Sequence, residues 1–189
     1  DVISGNAGKD MIHAGSGIDT INGDGDNDLI YGDQAGVTVN ASGALVATLV
    51  GDHFVARSNG AMTLITTVTG LEAETGAPGA LTITETDDII LNRVVTADGS
   101  ITVTAGGAIT AMEVASQTDS DDNDISLTSS SGDIGAGNIM AGFSGDVILA
   151  AACAISDLAG KITADELVAT AGGSMVLDTT VNRLIASSN

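Results

Sequence analysis

The sequence is poor in aromatic and basic residues. Its 189 residues include no Trp, one Tyr and two Phe, and only 5 Lys and Arg stand against 25 Asp and Glu. A formal net charge of −20 repels phosphate groups, which argues against a nucleic-acid partner or an anionic membrane surface. The scarcity of aromatic rings also argues against a surface that stacks on sugars.

Proline, cysteine and long apolar runs are equally scarce. The chain has one proline, Pro78, and no run of about 18 apolar residues that could span a bilayer as a helix. Cys153 is the single cysteine, so an internal disulfide framework is excluded, and its alanine neighbours predict a buried thiol. A hydrophobic content of 43% is enough for a folded core, and 25 glycines predict many tight turns.

The first 36 residues contain a repeat with a period of nine. Aspartates recur at Asp1, Asp10, Asp19 and Asp28, and each is followed two residues later by an isoleucine, at Ile3, Ile12, Ile21 and Ile30. Glycines lie between them. Such a unit predicts a glycine-rich turn followed by a short strand whose isoleucine faces a narrow core.

Two of these units would make one coil of about 18 residues. Asp10 would then lie over Asp28, and Asp1 over Asp19. Stacked carboxylates repel one another, and only a cation between them makes the arrangement favourable. Carboxylate oxygens and glycine carbonyls suit Ca²⁺ better than Mg²⁺ or Zn²⁺. The repeat therefore predicts calcium binding.

This repeat resembles the RTX proteins, whose nonapeptide G-G-x-G-x-D-x-U-x builds a calcium-binding parallel β-roll. The resemblance implies carboxylate ligands from Asp10, Asp19 and Asp28, carbonyl ligands from Gly5, Gly8, Gly15, Gly17 and Gly23, and further candidate metal ligands at Asp1, Asp26 and Asp33. Asp26 replaces a consensus glycine, and Val37 stands where the fourth turn needs an aspartate. We therefore expect calcium binding to weaken at the fourth turn.

After Gly36 the nine-residue period gives way to short alternating strands. The alternation predicts strands over 37–39, 44–50, 62–68, 81–84, 88–95, 101–104, 125–128, 147–150, 167–170 and 175–177. Five of them start about 20 to 24 residues apart, which is typical of a parallel β-helix with three short strands per coil. The segments LTIT and ITVT place Leu81, Ile83, Ile101 and Val103 inside and their threonines outside.

These features predict an all-β fold. A short calcium-binding parallel β-roll over residues 1–36 would continue through a transitional or capping segment, 37–79, into a right-handed parallel β-helix over 80–189. Phrases such as GSITVTAGGAITA resemble the repeats of filamentous-haemagglutinin-type bacterial surface adhesins. Uneven strand spacing leaves a β-roll followed by a β-sandwich as the alternative.

A second acidic cluster has the alternate spacing of a calcium loop, with Asp119, Asp121 and Asn123 as candidate weak metal ligands. Asp124 stands where such a loop needs glycine, so a solvated surface bulge is the favoured interpretation. The basic residues and the two histidines show no common coil spacing with a pair of carboxylates, and we predict no catalytic site and no enzymatic activity.

The sequence thus favours a structural module of a secreted bacterial surface protein, adhesin-like or fibre-forming, that folds when it meets extracellular calcium. The exposed ends of a parallel stack would self-associate or continue into more β-structure, and a cell-surface or matrix ligand is a further partner. The alternative function is an extracellular polysaccharide-modifying enzyme or a carbohydrate-binding module. Seven of the acids lie in the first 33 residues; the other eighteen show no periodic partner and are expected to serve solubility.

Overall fold

The computed structural model describes residues 1–6, 8–15, 19–22, 27–32 and 36–189. Seventeen strands lie in these ranges: Val2–Ser4 (β1), Met11–His13 (β2), Asp19–Asn22 (β3), Asn27–Tyr31 (β4), Val37–Ala41 (β5), Leu45–Ser58 (β6), Met62–Thr75 (β7), Leu81–Glu85 (β8), Ile89–Thr96 (β9), Ile101–Ala105 (β10), Ile109–Ser116 (β11), Ile125–Ser129 (β12), Ile134–Met140 (β13), Val147–Ala151 (β14), Ile155–Asp157 (β15), Ile162–Ala171 (β16) and Thr179–Ser188 (β17). Across the described residues we find no helix with the length and apolar character needed to cross a membrane.

The strands wind into a β-solenoid of about nine turns. Each strand pairs in parallel with a strand of a neighbouring coil, and hydrogen-bonded groups in neighbouring coils are 17 to 25 residues apart. This confirms the all-β fold in which a β-roll continues into a β-helix. A β-sandwich is wrong for this chain, because the strands stack on their counterparts in the next coil rather than facing a second sheet.

The nine-residue repeat forms the first coils as expected. Val2 of β1 pairs with Thr20 of β3, and Met11 of β2 pairs with Leu29 of β4. Two units therefore make one coil, and equivalent turns stack. The outward-facing His13 and Tyr31 lie over one another, with ring centroids 4.7 Å apart and an interplanar angle of 8°.

Residues 37–79 continue the same stack without a break in pairing. Val37 of β5 pairs with Asp19, and β6 reaches two earlier strands, since its first half pairs with β4 and its second half with β5. β7 then pairs with β6 along almost its whole length. Each of these 14-residue strands takes the place of the two shorter strands found in the other coils.

The later coils follow the predicted spacing. Leu81, Ile101, Ile125, Val147 and Leu167 form one continuous column of paired, fully buried residues. The alternating segments LTIT and ITVT point their aliphatic side chains inward, as predicted, and their threonines lie on the outer face.

The second strand of each coil was harder to predict. In β11 the buried Ala111 and Val114 are separated by two exposed residues, Met112 and Glu113, because the strand turns a corner of the coil there. Between 81 and 116 each coil contains two strands, a short straight one followed by a longer one that bends at the corner. The prediction of three short strands per coil is therefore wrong for this part of the chain. The strand predicted over 175–177 is also wrong, because only Met175 forms a single bridge.

Cys153 is exposed, so the prediction of a buried thiol is wrong. It lies between β14 and β15, in a turn rather than a strand, and its Sγ lies 3.6 Å from the carbonyl oxygen of Ser131 in the preceding coil. The neighbouring alanines suggested an apolar environment, but Ala152 is exposed in the same turn.

We expect the Leu127→Ala variant to lose about 2–5 kcal/mol of unfolding free energy, because its fully buried side chain lies between Val103 and Leu149. The adjacent Ser126 lies on the outer face, and Ser126→Ala should change the free energy by no more than about 0.5 kcal/mol. Chemical denaturation measures both. Equal losses would contradict the assignment of inner and outer faces.

Candidate metal centre

The repeated aspartates occupy core columns that later coils fill with hydrocarbon. Asp28 pairs with Ala47, which pairs with Leu64. Asp19 pairs with Val37, which pairs with Phe54. The first coils therefore point a carboxylate toward the interior at positions where the next coils have an apolar side chain.

These carboxylates are taken almost completely out of water. Asp19 and Asp28 are each only 1% exposed, and Asp10 is half-buried. Burial of an ionised carboxylate is strongly unfavourable unless a counter-ion or several hydrogen bonds replace its water shell. Stacking such groups in neighbouring coils adds like-charge repulsion.

One oxygen of each buried carboxylate binds the backbone of the preceding coil. Oδ1 of Asp19 accepts a hydrogen bond from the nitrogen of Asp1 at 2.7 Å, and Oδ1 of Asp28 accepts one from the backbone N–H of Asp10 at 3.1 Å. The second oxygen is different. Oδ2 of Asp10 and Oδ2 of Asp19 are buried and have no hydrogen-bond partner among the described residues. A buried acceptor of this kind is rare and calls for a cation or an ordered water.

The neighbouring glycines leave room for such a ligand. A Cβ atom added at Gly5 would lie 2.8 Å from Oδ2 of Asp10, so a larger residue would collide with the carboxylate. Gly8 and Gly15 have φ angles of +116° and +81°, in the left-handed region that other residues rarely adopt. Four other predicted ligands, Gly17, Gly23, Asp26 and Asp33, lie outside the described residues.

The chemistry of these groups fits a hard cation. They offer carboxylate and backbone carbonyl oxygens, which Ca²⁺ accepts in irregular geometry. Within the described ranges no three His, Cys, Asp or Glu side chains converge on one point, so a cation here would need backbone carbonyl oxygens to complete its shell. A surface cavity of about 300 Å³ lies beside Asp10 and Asp28.

The second acidic cluster is built differently. The amide nitrogen of the buried Asn123 donates to Oδ1 of Asp98 at 3.0 Å and to Oγ1 of Thr118 at 2.7 Å. Oδ1 of Asp119 accepts backbone N–H groups from the next coil, and Asp121 is exposed. Hydrogen bonds from Thr118 and Asn123 lower the pKa of the Asp98 carboxyl. The weak cation site predicted at Asp119, Asp121 and Asn123 stays a prediction.

Sequence reasoning missed the partners of several other acids. Asp88, Asp124, Asp133 and Asp146 each stand directly before a buried aliphatic residue that begins a strand. The Oδ1 atom of each accepts a backbone N–H from the next coil, at 2.6, 2.9, 2.7 and 3.0 Å respectively. For these four acids the expectation of no periodic partner is wrong. The short sequence D-[IV] at a strand start was the available signal.

The structure also brings together basic residues that share no obvious spacing. Nη1 of Arg93 lies 3.0 Å from Oε2 of Glu74 in the preceding coil, and its Nε lies 3.9 Å from Oε2 of Glu113 in the following one. Arg57 approaches Glu74 at 4.0 Å. All four side chains are more than a third exposed, so we assign this cluster a modest role in aligning coils.

Glu85 is a third kind of buried acid. It is 3% exposed, and its carboxylate accepts backbone N–H groups from Val68 at 3.1 Å, from Thr86 at 2.7 Å and from Asp87 at 3.4 Å. Burial raises the pKa of Glu85, although these hydrogen bonds oppose the shift. Since both of its oxygens accept backbone N–H groups, Glu85 stabilises the turn after β8.

A raised pKa means that protonation of Glu85 favours the folded state. This contribution is complete below the ordinary pKa of a glutamate and is lost as the pH rises through the folded pKa. We therefore expect the unfolding free energy of the wild type to increase relative to Glu85→Gln as the pH falls from 7 toward 4. Parallel denaturation curves of the two proteins measure this difference. A gap that stays constant with pH would contradict the burial argument.

Comparison with known proteins supports the metal assignment in the first coils only. No curated protein and no solved structure matches the chain. The similarity of the later coils to filamentous-haemagglutinin-type adhesins therefore stays a prediction. Residues 1–35 match the family model of the RTX calcium-binding nonapeptide repeat, which spans four copies, and this repeat family binds calcium.

Proposed function

We propose that the chain is a structural module of a secreted bacterial surface protein, adhesin-like or fibre-forming, in which calcium orders the first two coils on a β-helix. The observation that carries this proposal is the pair of buried oxygens, Oδ2 of Asp10 and Oδ2 of Asp19, that lack a hydrogen-bond partner among the described residues. They lie in the segment that matches a calcium-binding repeat.

Calcium would change the energy balance of the first coils. Without a cation, folding must bury charged oxygens and bring like charges into adjacent coils. A bound cation removes both penalties, so its binding free energy becomes folding free energy. Cations would be held by the oxygens of Asp10 and Asp28 in one column, and by those of Asp19, with Asp1 beside it, in the other. Backbone carbonyls of the glycine-rich turns would complete the shell.

The proposed calcium dependence supports a secreted location. RTX repeats typically occur in secreted bacterial proteins. Low calcium inside a cell would leave the acidic first coils open during export, and high calcium outside would fold them. The net charge of −20 supports the same view, because it keeps the unfolded chain soluble and extended.

Calcium dependence is tested by removing two carboxylates. We expect Asp10→Ala combined with Asp28→Ala to abolish most of the rise in β-structure and melting temperature that calcium produces in the wild type. Circular dichroism in calcium and in chelator measures both quantities. The matched control combines Asp87→Ala with Asp178→Ala, which removes the same charge from two exposed positions outside both acidic clusters and should keep the calcium response.

Two results would contradict the calcium proposal. The wild type could show the same spectrum and melting temperature in chelator as in calcium. Alternatively, the control pair could lose the calcium response as completely as Asp10→Ala with Asp28→Ala, which would assign the response to net charge alone.

End-to-end association is the second part of the proposal. Leu184 of β17 pairs with the fully buried Leu167 but is itself 52% exposed, and Ile185 beside it is 41% exposed. A further parallel strand, from another copy or from additional chain, would cover this face. Such an assembly would present its outer surface to a cell-surface or matrix ligand.

Electron microscopy at rising protein concentration tests association. We expect filaments whose formation is suppressed by Leu184→Asp, because this change puts a charge on the proposed contact face. The outward-facing Thr102→Asp adds the same charge on a side of the solenoid and should leave filaments intact. Single particles at every concentration would contradict the fibre-forming role.

A further inference from the structure

Counted from Gly5, the fourth nonapeptide copy begins at Gly32, and it differs from the first three at the place of the repeated aspartate. Val37 occupies the place of the repeated aspartate and pairs with Asp19 of the preceding coil. It is 1% exposed, as Asp19 is. The same inward-facing position therefore changes from a carboxylate to an isopropyl group between one coil and the next.

An aromatic ring lies directly above this position. Phe54 pairs with Val37 and is fully buried, and it is the largest of the fully buried side chains among the described residues. A Cβ atom added at Gly32 would lie 2.8 Å from Cζ of Phe54 and 2.7 Å from Cγ2 of Val37. Gly32 is therefore required here because a ring and a branched side chain pack against its backbone.

Gly5 and Gly32 hold the same place in the first and fourth copies of the nonapeptide. A Cβ atom added at each of these two glycines would meet different neighbours. At Gly5 the nearest atom is Oδ2 of Asp10, a candidate calcium ligand. At Gly32 the nearest atoms are hydrocarbon. One consensus glycine thus faces an ion-binding carboxylate in one copy and an apolar cluster in the other.

The opposite column changes in the same coil. Asp28 is followed by Ala47 and then by Leu64, both buried. An ion placed beside such side chains would lose its water without gaining oxygen ligands from them. Both columns therefore pass from carboxylate to hydrocarbon within one turn of the solenoid.

We propose that Gly32 and Val37 of the fourth nonapeptide copy form a hydrophobic cluster with Phe54 in place of a calcium site, and that this cluster ends the calcium-binding column. The inference rests on the proposed calcium binding of the first coils and defines its limit. The Phe54 cluster gives the roll an apolar base that forms without an ion, because its contacts are between hydrocarbon groups. Calcium then acts only on the coils that precede it.

The same substitution in the two copies tests this difference. Gly5→Ala should reduce the increase in melting temperature that calcium produces, because its Cβ displaces the Asp10 carboxylate. Gly32→Ala should lower the melting temperature of the β-helix by the same amount in calcium and in chelator. Phe54→Leu, a milder change that keeps the site apolar, should behave like Gly32→Ala. A loss for Gly32→Ala or Phe54→Leu that is found only in calcium would overturn the proposal.

A second measurement counts bound ions by equilibrium dialysis. Val37→Asp restores the consensus aspartate, and Val37→Thr is the near-isosteric uncharged control. We expect Val37→Asp either to bind no additional calcium or to fail to fold while Val37→Thr folds. One additional ion in folded Val37→Asp would overturn the proposal. A wild type that binds no calcium would instead overturn the proposed function, while equal losses for Gly32→Ala in both conditions would still support the hydrophobic cluster.

Discussion

Parallel stacking in register is the constraint on which the structure depends. Backbone hydrogen bonds fix each strand over its counterpart in the next coil, so every inward side chain lies between two others at strand spacing, about 4.8 Å away. Identical aliphatic residues satisfy this arrangement readily, as the column from Leu81 to Leu167 does. Identical carboxylates do not, because their charges repel and their water is removed.

Two kinds of side chain fill the interior columns of the solenoid. In the first coils the columns contain Asp10, Asp19 and Asp28, whose oxygens suit a cation. In the coils that follow, Val37 and Phe54 occupy one of these columns and Ala47 and Leu64 the other. The coils are too narrow for many rings, which accounts for the scarcity of aromatic residues, and the one fully buried ring, that of Phe54, lies where the filling changes.

Much of the fold could be predicted because stacking leaves a period in the sequence. The nine-residue spacing of Asp and Ile gave the register of the first coils, and alternation in LTIT and ITVT gave inner and outer faces. Corners could not be predicted in this way. At Met112 and Glu113 the alternation stops because the strand bends, so β11 has no simple period. The prediction of a buried Cys153 was wrong for a related reason, because a turn can be as rich in alanine as a core.

The candidate site could be predicted only in part. Residue types and spacing indicate carboxylate and carbonyl oxygens, but the short D-[IV] sequence at a strand start does not by itself identify which backbone N–H an aspartate will accept. The inter-coil bonds of Asp124 and Asp146 depend on which N–H lies above them, which only the stack determines. These bonds give the acids at strand starts a structural role, so the charge of −20 is not merely a surface property.

Hydrogen exchange of the backbone amides tests the central claim most directly. If a cation completes the first coils and hydrocarbon alone completes the later ones, amides of β2 to β4 will be protected in calcium and will exchange rapidly in chelator. Amides of β10 to β14 will be equally protected in both conditions. Equal protection of β2 to β4 with and without calcium would contradict the account.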